Sequence, residues 1–168
     1  MAVVNTKSAS VANADASPQV LNDLQIAGGK VKCLRAVVEQ GASDNDGSVY
    51  RMARVHSSWL VKGVRKFHDA ITGGTSYDLG LYRTAVDGGA VVDADAYASA
   101  VSLASADTAG VQIGFEARDV ANIEKKVWQD AGLSSDPNLW YDLALTGNTV
   151  GSAGGTISLD IEVVMPGN

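Results

Sequence analysis

From Thr156 to Met165 the chain alternates without interruption. Ile157, Leu159, Ile161, Val163 and Met165 fall on one face; Thr156, Ser158, Asp160 and Glu162 fall on the other. A period of two is the mark of a strand with one face in a core and one in water, and it belongs to antiparallel sheets. Leu139 to Thr146 reads as the strand before it, joined through a glycine-rich loop. Upstream, Asp119 to Ala131 carries Val120, Ile123, Val127 and Ala131 at helical spacing, with Asp119 as N-cap and Gly132 as the left-handed residue that ends the helix. Asp136-Pro137-Asn138 then makes a turn.

The remaining segments point the same way. Lys30 to Glu39 is a strand with Val31, Cys33 and Val37 on one face and Leu34, Ala36 and Val38 on the other, apolar on both sides as if covered on both. Val49 to Val55 alternates only in part. Trp59 to Phe67 sets Val61, Gly63, Arg65 and Phe67 on one side, and Thr75 to Arg83 sets Tyr77, Leu79 and Leu81 on one side. Asp93 to Ala100 is rich in alanine and favours a short helix, leaving through Val101-Ser102-Leu103; Val111 to Ala117 is a further strand. The count, seven or eight short strands and one or two short helices in 168 residues, fits one mainly β domain, a jelly-roll-like β-sandwich. With 18 glycines and 3 prolines, the breaks between segments read as tight turns. Residues 1–29 are small, polar and without period, an extended N-terminal arm; residues 30–168 form the sandwich.

Composition narrows function mostly by exclusion. The single cysteine, Cys33, forms no internal disulfide and no thiolate zinc site, and its apolar neighbours make it a small buried residue. No basic-then-apolar leader opens the chain and no apolar run reaches the roughly 18 residues of a membrane span, so synthesis in the cytoplasm and no membrane partner are expected. Net charge is -6 but polarised: Lys30 to Lys66 holds eight basic and three acidic residues, while 69–168 holds four basic and fourteen acidic. Such a dipole suits docking on an oppositely charged surface. Arg51, Arg54, Lys62, Arg65 and Lys66, interleaved with Tyr50, Trp59 and Phe67, imitate a nucleic-acid surface, but the acidic total argues against nucleic acid as partner.

No catalytic pattern stands out. His56 and His68 have no metal-ligand spacing, and no Gly-x-Ser-x-Gly elbow is present. Asp44-Asn45-Asp46-Gly47-Ser48 has the oxygens of a calcium loop but not its spacing, and reads as a turn. The glycine pairs lack the endings of phosphate loops. Neither an enzyme nor a cofactor is expected. Trp59, Trp128 and Trp140 keep a carbohydrate-binding module as the alternative, and a hydrolase built around His56 or His68 ranks below it.

The order Ile123-Glu124-Lys125-Lys126-Val127-Trp128, Ala131-Gly132-Leu133, Asp136-Pro137-Asn138, Tyr141-Asp142-Leu143-Ala144-Leu145-Thr146 and Gly155-Thr156-Ile157-Ser158-Leu159 resembles the capsid cement, or head decoration, proteins of short-tailed bacteriophages. The likeness covers roughly residues 30 to 165 and is one of scaffold. It implies a jelly-roll-like homo-oligomer, dimer or trimer, on the outside of a mature phage head in the virion, clamping neighbouring major capsid subunits against DNA pressure. The arm suits β-augmentation or wrapping. The contact residues expected on this basis are Val3, Val4, Asn5 and Val11 of the arm and Arg51, Arg54, Arg65 and Lys66 of the basic segment.

Overall fold

Eight strands build two antiparallel four-stranded sheets. They are β1 (Lys30–Gln40), β2 (Ser48–His56), β3 (Leu60–His68), β4 (Ser76–Arg83), β5 (Val91–Val101), β6 (Asp107–Gln112), β7 (Trp140–Thr149) and β8 (Gly155–Met165). The computed structural model describes residues 3–166. One sheet has the order β1-β8-β3-β6, the other β2-β7-β4-β5. Successive strands change sheet at every step except the β4–β5 hairpin, which is the interleaved winding of a jelly roll. The expected fold class is thus the observed one.

The alternation in β8 sets the core. Ile157, Leu159, Ile161 and Val163 are buried and face Tyr77, Leu79 and Leu81 of β4 and Tyr141, Leu143 and Leu145 of β7 across the sandwich. Polar plugs seal the two ends. At one, Tyr77 donates to Gln40 Oε1 at 2.6 Å while Gln40 Nε2 donates to the Val150 carbonyl at 2.9 Å. At the other, the Arg118 guanidinium meets Asp130 Oδ2 at 2.9 Å, Tyr97 donates to the same oxygen, and Arg118 also donates to the Val61 and Lys125 carbonyls. Burial pushes the Asp130 carboxyl up to about 6, against the opposing pull of Arg118.

Several sequence expectations are corrected. The helix expected over Asp119 to Ala131 is a 3-10 turn at Val120–Asn122 and a separate helix at Val127–Asp130. Tertiary partners take its backbone groups: Val127 N–H donates to the Trp59 carbonyl, Trp128 N–H to that of Ser57, and the Lys125 carbonyl accepts from Arg118. Val120, meant for the apolar stripe, is 80% exposed. The two ends hold as read: Asp119 caps the first turn, accepting from Ala121 N–H at 2.8 Å, and Gly132 sits at φ +73° with Leu133 N–H closing on the Trp128 carbonyl.

The segment expected to turn helical near Asp93 to Ala100 lies within β5, because pairing with β4 outweighs alanine's helical preference. β1 is not covered on both faces but is a sheet edge, with Val37 70% exposed. Cys33 is likewise exposed, its thiol donating to Asp160 Oδ1 at 2.6 Å; that carboxylate holds its pKa above the ordinary value, so the thiolate is disfavoured. In β3, a bulge between Val61 and Gly63 shifts the phase, so Val61 and Val64 share the inner face. Lys66 follows them inward, away from the surface expected for it.

The arm is less extended than its composition implies. A helix, α1 (Ala9–Ala14), and residues up to Asn22 fold back on each other: Asn13 Nδ2 donates to Asn22 Oδ1 and Asn22 Nδ2 to the Ser10 carbonyl. No residue of α1 is buried. A second helix, α2 (Leu24–Ala27), makes the tie to the sandwich, with Gln25 donating to the Ser58 and Val164 carbonyls and Asp23 paired with Lys126 at 2.8 Å.

Replacing Asp130→Asn should lower unfolding free energy by about 3 kcal/mol, because it leaves the Arg118 charge buried without its partner. Chemical denaturation at neutral pH measures this, and a loss under about 1 kcal/mol would show that the pair does not hold that end closed.

Candidate functional site

Basic side chains on β2 and β3 and the N-terminal arm supply the sequence-predicted contact set, and the fold separates them into distinct places. On β2 a bulge between Arg51 and Ala53 brings Arg51 and Arg54 to one carboxylate on the outer face of their sheet. Arg51 Nη1 donates to Asp142 Oδ2 at 2.8 Å and to the Arg83 carbonyl; its Nη2 donates to the Gly89 carbonyl, and its plane lies over Tyr82. Arg51 therefore fastens the β4–β5 hairpin. Arg54 uses only Nε, donating to Asp142 Oδ1 at 2.9 Å, and remains half exposed. Of the two, Arg54 is the one whose charge faces outward.

Arg65 lies on the outer face of the other sheet. The registers set Arg35 and Arg65 on either side of Asp160, and Val37 and Phe67 on either side of Ser158. Arg35 Nε stands 3.7 Å from Asp160 Oδ1 and Arg65 lies opposite Asp160 in the β3–β8 register, so the patch sets two cations beside one carboxylate. Lys62 and Glu162 close a neutral pair beside it at 2.7 Å. Arg35 and Asp160 were absent from the sequence-predicted set. Their signal was the outward phase of β8, but their meeting depends on a pairing between residues more than a hundred positions apart.

Lys66 is 10% exposed at its side chain and faces inward, 2.7 Å from His68 Nε2 and 3.5 Å from Asp107 Oδ2. His68 Nδ1 lies 2.8 Å from the Asp69 carbonyl, so that nitrogen carries the proton and Nε2 accepts from Lys66. Burial, with Lys66 adding to it, holds the His68 pKa below its ordinary value. A histidine saturated in this way has no free nitrogen to activate a hydroxyl. His56 Nδ1 faces Ser58 Oγ at 2.8 Å and its ring packs edge-on against Trp140. Ser57 donates to Asp136 and accepts from Leu139 N–H, closing a turn. No Ser-His-carboxylate relay is assembled at either histidine among the described residues. Among the described residues no cluster of three or more His, Cys, Asp or Glu side chains could hold a metal. Asp44 accepts from Gly41 N–H and Tyr50 hydroxyl and Asp46 from Val150 N–H, the work of a turn. No helix among them is long and apolar enough to cross a membrane.

The arm presents Val3, Val4 and Asn5 to solvent, with Val11 exposed on α1. The three tryptophans differ. Trp140 is 44% exposed and stacks edge-on to Trp59 with ring centroids 5.4 Å apart; Lys32 Nζ stands over Trp59. Trp128 is half-buried at the helix Val127–Asp130.

No family model and no curated protein matches the sequence. The fold is shared with solved structures. A chain of the cyanophage Pam1 capsid asymmetric unit aligns over 83% of this chain and 87% of its own, at 19% identity and a TM-score of 0.50. A chain of the capsid of Ralstonia phage GP4 aligns over the same shares, at 12% identity and a TM-score of 0.57.

Two outcomes follow from the site geometry. Asp142→Ala should cost about 1–2 kcal/mol in chemical denaturation, a modest figure because both arginines reach solvent and Arg51 keeps its carbonyl partners. For His68, whose folded pKa is depressed, the stabilising neutral form is fully present above the unfolded pKa of about 6.5 and is lost as pH falls below it. Melting curves at pH 7 and pH 5 should therefore show a larger drop for the parent than for His68→Gln; equal drops would count against this coupling.

Proposed function

We propose that this protein is a structural component of a phage virion that sits on the outer surface of the mature head and cements neighbouring major capsid subunits. The observation that carries the reading is the interleaved two-sheet architecture, which aligns with chains of two phage capsid structures over most of their length. The histidines and acidic turns are spent on internal hydrogen bonds, which agrees with a binding role and no enzymatic one. The contact surface proposed is the arm, through Val3, Val4, Asn5 and Val11, together with the outward cations Arg54 and Arg65, with Arg51 holding its part of the surface in shape. Lys66 leaves the set, because its ammonium is enclosed by His68 and Asp107.

The mechanism is linkage. A protein that binds the expanded lattice and not the separate subunits stabilises the lattice by mass action, and each bound copy adds its own increment. Weak contacts at several points per copy add up through effective concentration, provided the geometry lets them engage together.

A second reading, a carbohydrate-binding module on the virion surface, is favoured by one observation: the exposed Trp140 stacked on Trp59 offers an aromatic edge beside Lys32. Tryptophan fluorescence in a glycan screen tests it.

Co-sedimentation of the protein with undecorated heads, before and after expansion, is the direct test. Saturable binding to expanded heads alone is expected. Removing residues 1–22 should weaken that binding by about tenfold or more while the melting transition of the sandwich stays in place, since α1 buries nothing against it. Undiminished binding by the shortened chain would rule out the arm, and no binding to either head form would rule out the cement role.

A further inference from the structure

β1 pairs with β8 in one unbroken register, from Lys30 opposite Met165 to Gln40 opposite Gly155. Its other edge meets no backbone among the described residues. The groups along that edge follow from the ladder. Asp69 N–H donates to the Thr156 carbonyl at 3.0 Å, so Thr156 directs its backbone toward β3. Successive residues of a strand address opposite neighbours as well as opposite faces. Ile157, Leu159, Ile161 and Val163 therefore bond to β1, opposite Val38, Ala36, Leu34 and Lys32. Val31, Cys33, Arg35, Val37 and Glu39 are left with N–H and C=O pointing out of the sheet.

The other three edges are blunted. β2 is bulged between Arg51 and Ala53; β5 shifts register three times against β4 and holds Ala100 at φ +54°; β6 is six residues long and its pairing slips. Bulges, shortness and proline are among the guards against edge-to-edge pairing, and β1 has none of these; the charges it carries, Lys30, Lys32, Arg35 and Glu39, are of both signs. The core is also thinnest there. Leu34 and Val38 on β1, and Met52 and Ala53 on β2 beneath it, pack on the core yet stay partly open.

We propose that β1 pairs antiparallel with β1 of a second copy about a two-fold axis at Ala36, joining two four-stranded sheets into one of eight strands. Residues with free backbone groups must oppose one another, so the axis falls on a residue position. Placed at Arg35, it sets that cation against its own copy, which is destabilising. Placed at Leu34, it sets Lys32 against Ala36 on the inner side and gives Arg35 no acidic neighbour. Placed at Val37, it sets Arg35 opposite Glu39 but Leu34 against the buried Gln40, and loses a bonded pair because Gly41 N–H is held by Asp44. Placed at Ala36, it sets Arg35 opposite Val37 and Cys33 opposite Glu39, with Glu39 and Arg35 of the copy on the two diagonals from Arg35. On the inner side the small Ala36 lies on the axis and Leu34 meets Val38. About eight backbone hydrogen bonds form, and the two-fold closes the edge instead of propagating it. This pairing needs no capsid and is independent of the function proposed above.

The test is the mass of the full chain in solution, by sedimentation velocity over a dilution series. Two chains per particle are expected. Val37→Pro removes an edge N–H that the fold does not use, at a position where an edge strand tolerates proline; it should raise the dissociation constant about tenfold or more with the far-ultraviolet spectrum unchanged. If that variant fails to fold, Ala36→Cys in a Cys33→Ser background decides. Opposed non-bonded Cα atoms stand about 4.5 Å apart, within disulfide reach, so mild oxidation should link the pair covalently. A parent that stays single, a particle of three chains, or a folded Val37→Pro variant that associates as tightly as the parent would overturn the proposal. So would cross-linking through Leu34→Cys but not through Ala36→Cys. Loss of association on Val4→Asp would identify the arm, not β1, as the link.

Discussion

β8 is the strand on which the rest of the molecule depends. It is bonded on one side to β1 and on the other to β3, and its inner residues form the floor on which β4 and β7 pack. A strand paired on both edges cannot slip by one residue without turning Ile157, Leu159, Ile161 and Val163 to water and Ser158, Asp160 and Glu162 into the core. That penalty locks the register of three strands at once. It also places Asp160 on the outer face between Arg35 and Arg65, so the charge pattern of that face follows from the packing of the opposite one.

The sandwich is closed at its ends by polar groups, each with a specific partner. Gln40 with Tyr77 at one end and Arg118 with Asp130 and Tyr97 at the other let the strands stop without burying bare backbone. The same economy accounts for the polar side chains that resemble catalytic parts. His68, Ser57, Asp44 and Asp46 all complete hydrogen bonds that turns or strand ends require. The surface keeps exposed valines on the arm, outward guanidinium groups, and a strand edge with unspent backbone groups.

Departures from the sequence reading cluster where two parts of the chain compete for one partner. Lys66 turned inward because a bulge at the start of β3 moved the phase by one residue, and bulges carry little local signature. The helical stripe from Val120 to Ala131 was broken because carbonyls of Ser57 and Trp59 captured the N–H groups that a helix needs. β5 defeated alanine's preference because the β4 edge offered it pairing from Val91 to Val101, even with three register shifts. Arg51 and Arg54 looked equivalent in sequence, yet Asp142, far along the chain, takes one nitrogen of each, and only Arg51 is held further, by the Arg83 and Gly89 carbonyls. In each case the deciding contact is long-range.

What the sequence by itself determined is the strand-rich class, the inner and outer faces of β4 and β8, the glycine stop at Gly132 and the absence of a local catalytic motif. These rest on periodicity and backbone sterics, which act between near neighbours and need no fold to be read. The tertiary structure alone decided which strand became an edge, so that Cys33 and Val37 face water although their sequence context is apolar. It also decided which cations stay free and which are enclosed. Burial and pairing are properties of the neighbours a residue acquires, and those neighbours come from distant strands whose order no local pattern encodes.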